Sequence, residues 1–326
     1  MEKPRGKVLY LSRKDVESLA ISISEIIDRL EMVFQEKGHG RVEMPPKPAI
    51  HTNGDAFLHA MPAYIPEIDA AGMKWVGGYP ENYKRGLPYI TGLLILNDPQ
   101  TGLPYTVMDC AWITAMRTAA ATALTARFLA RPDSSQAAIL GCGVQGRYNL
   151  ETLNTLFPIS RVRIYDISGE TAKRYAREMG ERLQIAIEVC GSPKDAVDQA
   201  DIVVTAGPFL RNPRPAVEFG WIKKGAFLCP LDLDSYLKPE VFLNSDFVCT
   251  DDLAQFNHFK ESGLFRGCRV DIVDFGDVVT GRVEGRKRDS DIITAVNIGI
   301  ALEDMGVAPI VYERARQKEI GVWLDL

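Results

Sequence analysis

The run Ala137-Ala138-Ile139-Leu140-Gly141-Cys142-Gly143-Val144-Gln145-Gly146 constrains this chain more than any other segment. An apolar strand enters Gly-x-Gly-x-x-Gly, a helical pattern follows, and a second apolar run occupies 161–165. Each glycine answers a steric need. Gly141 permits the tight turn, Gly143 lets backbone N–H groups approach a pyrophosphate, and Gly146 lets the helix pack on the strand. The helix start then offers unsatisfied donors and a partial positive charge to the anion. Asp166 follows the second run, where a carboxylate accepts hydrogen bonds from ribose hydroxyls and repels a 2′-phosphate. These features predict NAD as cofactor. Its predicted contacts are Gly141, Gly143, Val144, Gln145, Gly146 and Asp166, with Thr118 and Thr205 as further candidates.

The rest of the second half fits that motif. Apolar runs at 136–140, 161–165, 185–189, 201–205, 225–229 and 246–250 alternate with helical patterns near 144–157, 169–182, 193–199 and 252–262. Such alternation predicts a parallel sheet covered on both faces. Stretches 291–303 and 310–318 read as closing helices. Ahead of the motif, Val16, Leu19, Ile23, Ile26, Ile27, Leu30, Val33 and Phe34 form one apolar stripe. It predicts a long helix started by Ser12 and Asp15 and stopped by Gly38 and Gly40. Residues 41–112 read as strand-rich, including 89–96 and 104–108. From Thr114 an alanine-rich helix runs to Pro132-Asp133; its small side chains suit a helix threaded between two domains, or simply favour helix.

Composition narrows the function classes. Of 326 residues, 46% are hydrophobic and 25% charged, an ordinary globular balance with length for about two domains. The net charge of −5 argues against nucleic acid or an anionic membrane as partner, since both need a basic face. No uncharged apolar stretch is long enough for a membrane span. The N-terminus Met1-Glu2-Lys3-Pro4-Arg5 is charged, unlike a signal peptide. Six scattered cysteines without Cys-x-x-Cys, and only four histidines, predict reduced thiols, a cytoplasmic protein and no metal site.

Three places outside the glycine loop carry candidate chemistry. Thr114 reads as a helix N-cap with Arg117 in the first turn, so a guanidinium there would clamp a carboxylate or make a surface ion pair. Lys74 lies in the strand-like Ala71-Gly72-Met73-Lys74-Trp75-Val76, where a lysine either snorkels or acts. Asp232 and Asp234 follow the strand end Leu228-Cys229-Pro230-Leu231. Ligands bind beyond the carboxyl ends of parallel strands, so one of this pair is an acid–base candidate; the alternative is two turn aspartates.

Met61-Pro62, Gly72-Met73-Lys74, Thr101-Gly102-Leu103-Pro104, Ile113-Thr114-Ala115-Met116-Arg117-Thr118-Ala119-Ala120, the Gly141–Gly146 loop, Gly276-Asp277-Val278-Val279-Thr280-Gly281 and Gly299-Ile300-Ala301-Leu302-Glu303-Asp304 resemble the ornithine cyclodeaminase/mu-crystallin family almost end to end. The resemblance implies an α/β fold in which a Rossmann-type NAD-binding domain (118–304) is inserted into an α+β substrate-binding and dimerisation domain (1–117 with 305–326). It implies a homodimer acting on a small amino or imino acid. It also implies that Lys74 and Arg117 hold the substrate carboxylate while Asp234 handles the amine.

Two positions depart from the cyclodeaminase pattern. Lys47 stands where an arginine would make a third carboxylate contact, and His59 stands where a glutamate would face the substrate amine. Lysine keeps the charge but loses the bidentate fork. Histidine near its usual pKa would exchange protons with Asp234 but supply no permanent negative charge. The expected mechanism is hydride transfer at the α C–N bond, with Arg117, Lys74 and Lys47 fixing the α-carbon against the nicotinamide. A dehydrogenase or imine reductase results. The alternatives within the family are an ornithine cyclodeaminase, which recycles NAD, and a ligand-binding protein of the mu-crystallin type.

Overall fold

The computed structural model describes residues 6–210, 212–268 and 271–326; the charged start Met1–Arg5 lies outside the described residues. The chain divides into two compact units, Met1–Arg117 with Ile300–Leu326, and Thr118–Gly299.

The first unit opens with β1 (Lys7–Leu11), α1 (Arg13–Ser18) and α2 (Ile23–Gly38). The single long helix predicted from the apolar stripe is therefore two. Ser12 and Asp15 form a reciprocal capping box that starts α1. Ala20 then takes a left-handed conformation, φ +54°, and Ser22 caps α2 by accepting from the Glu25 N–H. The stripe runs through the break because Val16, Leu19, Ile26, Leu30 and Phe34 are all buried whichever helix carries them. Spacing reports burial and misses one reversed backbone residue.

Next come β2 (Ala49–His51), β3 (Phe57–Ile65), β4 (Ala70–Gly78), β5 (Ile90–Asn97) and β6 (Pro104–Asp109), an antiparallel ladder with β1 added parallel to β6. Helix α3 (Ala111–Leu129) begins earlier than predicted. The Asp109 carboxylate accepts the Ala111 N–H at 2.9 Å, and the Cys110 carbonyl already accepts from the Thr114 N–H. Thr114 is thus inside the helix rather than its cap, and Arg117 sits in the second turn.

The second unit contains β7 (Gln136–Leu140), α4 (Val144–Leu156), β8 (Arg161–Tyr165), α5 (Gly169–Leu183), β9 (Ala186–Val189), α6 (Pro193–Val197), β10 (Ile202–Thr205), β11 (Phe227–Pro230), α7 (Pro239–Asn244), β12 (Phe247–Thr250), α8 (Leu253–Glu261), β13 (Val273–Asp274), α9 (Phe275–Val279) and β14 (Ile293–Val296). All strand pairs are parallel, in the order β13-β12-β14-β11-β10-β7-β8-β9. This is the predicted doubly wound sheet, and its core strands are buried on both faces. The closing helix predicted over 291–303 is wrong in its first half. Ile293–Val296 is β14, wedged between β12 and β11, and a short apolar run reads the same in a buried strand as in a buried helix.

After Gly299, in the left-handed region at φ +79°, the chain forms α10 (Ala301–Gln317) and β15 (Val322–Asp325). The predicted helix over 310–318 is the end of α10, which carries Pro309 in its interior. The first unit resumes at Ile300, a few residues before the expected 305, because α10 is one continuous element. Its sheet runs β15-β1-β6-β5-β4-β3-β2. Helix α10 packs on β3, β4, β5 and α2, burying the face that carries Met61, Lys74, Leu94 and Met108. On the opposite face Leu58, Met73 and Ile95 are half-buried, while Trp75 and Leu93 are 38% and 44% exposed.

Candidate active site

In the second unit the glycine loop has the shape its spacing predicts. Gly141 has φ +101°, and a Cβ there would lie 2.6 Å from the Ala206 carbonyl carbon. At Gly146 a Cβ would meet the Gly141 oxygen at 2.2 Å, so only glycine lets α4 pack this closely. Gly143 differs: the space its Cβ would fill is open. Helix α4 starts there without a side-chain cap, behind exposed Val144 and partly buried Gln145. An open cradle at an uncapped helix start fits a pyrophosphate.

Asp166 joins this loop directly. One carboxylate oxygen accepts the Cys142 N–H at 2.8 Å and the other accepts the Ser168 N–H at 2.8 Å. Two residues that sequence reasoning did not single out hold the loop from behind. The Tyr175 hydroxyl donates to the Gly146 carbonyl at 2.9 Å. Arg147 donates to the Gly143 carbonyl at 3.1 Å and to that of Cys142, pairs with Glu178 and lies over the Tyr175 ring. An arginine directly after the third glycine was the available signal. Thr118 is half-buried at the unit's first residue, and its carbonyl accepts from the Thr122 hydroxyl.

The two aspartates after β11 take different surroundings. Asp232 is buried, accepting the Thr205 hydroxyl at 2.7 Å and the Gly207 N–H at 2.9 Å. Burial pushes its carboxyl up to about 7 against the pull of those two donors. Thr205 is itself buried, with its hydroxyl turned to Asp232. Leu233 is left-handed, φ +62°, and separates the pair. One oxygen of Asp234 accepts the Phe265 N–H at 2.8 Å; the other is buried with no hydrogen-bond partner among the described residues. Desolvation raises the Asp234 carboxyl above its ordinary range.

The first unit gathers the cations. Lys74, opposite Met61 and Leu94 in the ladder, is fully buried on the apolar face of the sheet. Its ammonium meets the Asp304 carboxylate at 2.6 Å and the Thr114 hydroxyl at 3.4 Å. Arg117 is buried too, its Nε 3.1 Å from the other Asp304 oxygen and its Nη1 2.5 Å from Glu303. Asp304 therefore holds both cations, one on each oxygen. Burial first, and then the Arg117 charge, lower the Lys74 pKa, while Asp304 opposes the shift. Sequence reasoning gave Glu303 and Asp304 no role; two adjacent acids at the start of an apolar helix were the signal.

Lys47 is buried and, like Lys74, acts on His59. His59 stacks on Phe57 with ring centroids 4.3 Å apart. Desolvation, then Lys47 and Lys74, push its imidazole down to about 3. It is uncharged at neutral pH, which departs from the expectation that it titrates there: two cations and burial both oppose a third positive charge. Among the described residues no group of His, Cys, Asp and Glu is placed to hold a metal ion. No helix among them is long and apolar enough to cross a membrane.

Residues 7–319 match the family model for the ornithine cyclodeaminase/mu-crystallin family. The chain belongs to this family. Among curated members, nodulation efficiency protein NfeD of Rhizobium meliloti is 36% identical, covering 96% of this chain and 97% of that protein. Alanine dehydrogenase of Archaeoglobus fulgidus is 34% identical, with 97% of each chain covered. Among solved members, Delta(1)-pyrroline-2-carboxylate reductase of Thermococcus litoralis, in complex with NADH and L-proline, superposes with a TM-score of 0.87 at 32% identity, covering 97% of this chain and 99% of the other.

Proposed function

We propose that this family member is an NAD-dependent enzyme that transfers hydride at the α C–N bond of a small amino or imino acid, as a dehydrogenase or imine reductase. The observation that carries the reading is the buried pair Lys74 and Arg117 fixed on one carboxylate, Asp304. Buried Lys47 is a third cation of this unit, and cationic side chains held in place in this way suit a substrate carboxylate. The solved relatives support the cofactor and substrate class: one holds NADH and L-proline, and an archaeal alanine dehydrogenase dimer holds NAD.

The residues divide the work. The Gly141–Gly146 loop and Asp166 bind the dinucleotide, which when bound supplies the hydride acceptor as NAD for amine oxidation or the hydride donor as NADH for imine reduction. Lys74 and Arg117, with Lys47, fix the carboxylate and so the α-carbon, and positioning of this kind is worth roughly 7–11 kcal/mol in favourable cases. Asp234, with a raised pKa and an unpartnered oxygen, takes or returns the amine proton. His59 stays neutral and assists by hydrogen bonding. An uncharged His59 supplies no counter-charge to a second substrate ammonium, so this reading favours substrates with uncharged side chains over ornithine. We further propose a cytoplasmic homodimer. Five of the six cysteines are buried, in keeping with small apolar side chains of a reducing compartment, and the Trp75–Leu93 face offers an apolar surface for a second copy.

The test is NADH absorbance with a panel of amino acids, and of keto acids with ammonia. Turnover by wild type is expected, with Arg117→Ala raising KM about 100-fold, the scale of truncating one partner of a buried charged contact, while NADH affinity holds. No turnover with any member, or an Arg117→Ala enzyme within a few-fold of wild type, would overturn the reading.

A further inference from the structure

Asp232 is a buried carboxylate that the mechanism above does not use. Both of its oxygens are engaged, by the Thr205 hydroxyl and the Gly207 N–H. These donors lie where β10 ends, and that end is tied on both sides. The Ala206 N–H donates to the Leu140 carbonyl of β7, and the Leu231 N–H after β11 donates to the Thr205 carbonyl. The corner has no slack. A Cβ on Gly207 would strike the Tyr236 ring at 2.5 Å, and the backbone of Ala206 and Gly207 is the surface against which Gly141 turns, at 2.6–2.9 Å from where its Cβ would be.

Strand order gives the corner its place. Asp166 follows β8, on one side of the glycine loop, whereas Thr205 ends β10 and Asp232 follows β11 on the other. A dinucleotide lies across the carboxyl ends of such strands. With its adenosine ribose at Asp166 and its pyrophosphate on the loop, the remaining half falls on the β10–β11 side. We infer that Asp232 is a positioning residue for the nicotinamide half of the cofactor, gripping Thr205 and Gly207 so that the wall beside Gly141 keeps its shape. It is buried and acts through that backbone, with no contact of its own to the ligand. The inference rests on the proposed NAD binding.

Calorimetric titration with NADH and, separately, with ADP-ribose, which lacks the nicotinamide ring, tests it. Wild type is expected to bind both. Asp232→Ala weakens NADH about 10- to 100-fold, the range for losing hydrogen bonds to a charged acceptor, and ADP-ribose by less than about three-fold. Asp232→Asn, which keeps an acceptor for Gly207 and a partner for Thr205, restores NADH binding to within about three-fold of wild type. Should Asp232→Ala fail to fold, Thr205→Val replaces it: the Asp232 grip loses one donor, and NADH but not ADP-ribose weakens. Equal loss of both ligands, loss of neither, or an Asp232→Asn protein as impaired as the alanine variant overturns the assignment. A wild type that binds ADP-ribose but not NADH also overturns it, and one that binds neither removes the cofactor reading itself.

Discussion

A carboxylate already bonded to the backbone of the loop it serves is fixed before a ligand arrives. Asp166 has that arrangement through the Cys142 N–H, so in the proposed site it reads ribose hydroxyls without first being ordered. Asp166→Arg is expected to lower the NAD/NADP ratio of kcat/KM by about ten-fold or more, one charged hydrogen bond being worth roughly 1.5–3 kcal/mol; unchanged selectivity would dismiss the assignment. His59 makes a pH prediction. Its imidazole sits near 3 in the folded chain, against about 6.5 when unfolded. The unfolded state therefore binds the extra proton first, and the stability His59 lends above pH 6.5 is lost as pH falls toward 3, by up to about 1.4 kcal/mol per pH unit. His59→Gln should show a smaller drop in Tm between pH 7 and pH 4.5 than wild type, and an equal drop would contradict the shift.

Among the elements, α10 covers one face of the first unit's sheet. Its first turn carries Glu303 and Asp304 against the sheet face on which Lys74 is buried. A lysine at that depth is tolerated only because it is paired; removing Asp304 leaves two cations without a shared counter-charge. Asp304→Ala is expected to cost about 3–5 kcal/mol in urea unfolding, while Lys74→Met combined with Asp304→Leu recovers most of it because no orphaned charge is left on that side of the pair. A single variant within 1 kcal/mol of wild type, on the order of an exposed pair, would show the contact to be dispensable. The cap that separates α1 from α2 is smaller in effect: Ser22→Ala should lose about 1 kcal/mol.

For the whole molecule, the first unit's sheet has one face under α10 and the other open, with Trp75 and Leu93 at its centre. Large apolar side chains side by side on an open sheet mark an interaction surface, and the proposed occupant is a second copy. Trp75→Glu with Leu93→Lys is expected to convert a dimer to a monomer in sedimentation velocity at micromolar concentration. A dimer that persists would move the interface elsewhere.

The glycine loop was legible from residues alone because its constraints are local: the turn at Gly141, the packing at Gly146 and the strand before them are set within ten residues of chain. The parallel sheet followed from alternation, and the resemblance carried the family. What alternation could not supply was anything fixed by a distant partner. Ile293–Val296 became a strand because β11 and β12 flank it, and Thr114 lost its capping role because Asp109 starts α3 earlier. Asp304 between Lys74 and Arg117, Asp232 on Thr205 and Gly207, and an imidazole kept neutral by burial and two lysines all bring together residues that are not neighbours in sequence. Chain order determined which side chains were present. Tertiary packing decided which were desolvated and beside what charge, and desolvation together with charge sets protonation and hydrogen bonding.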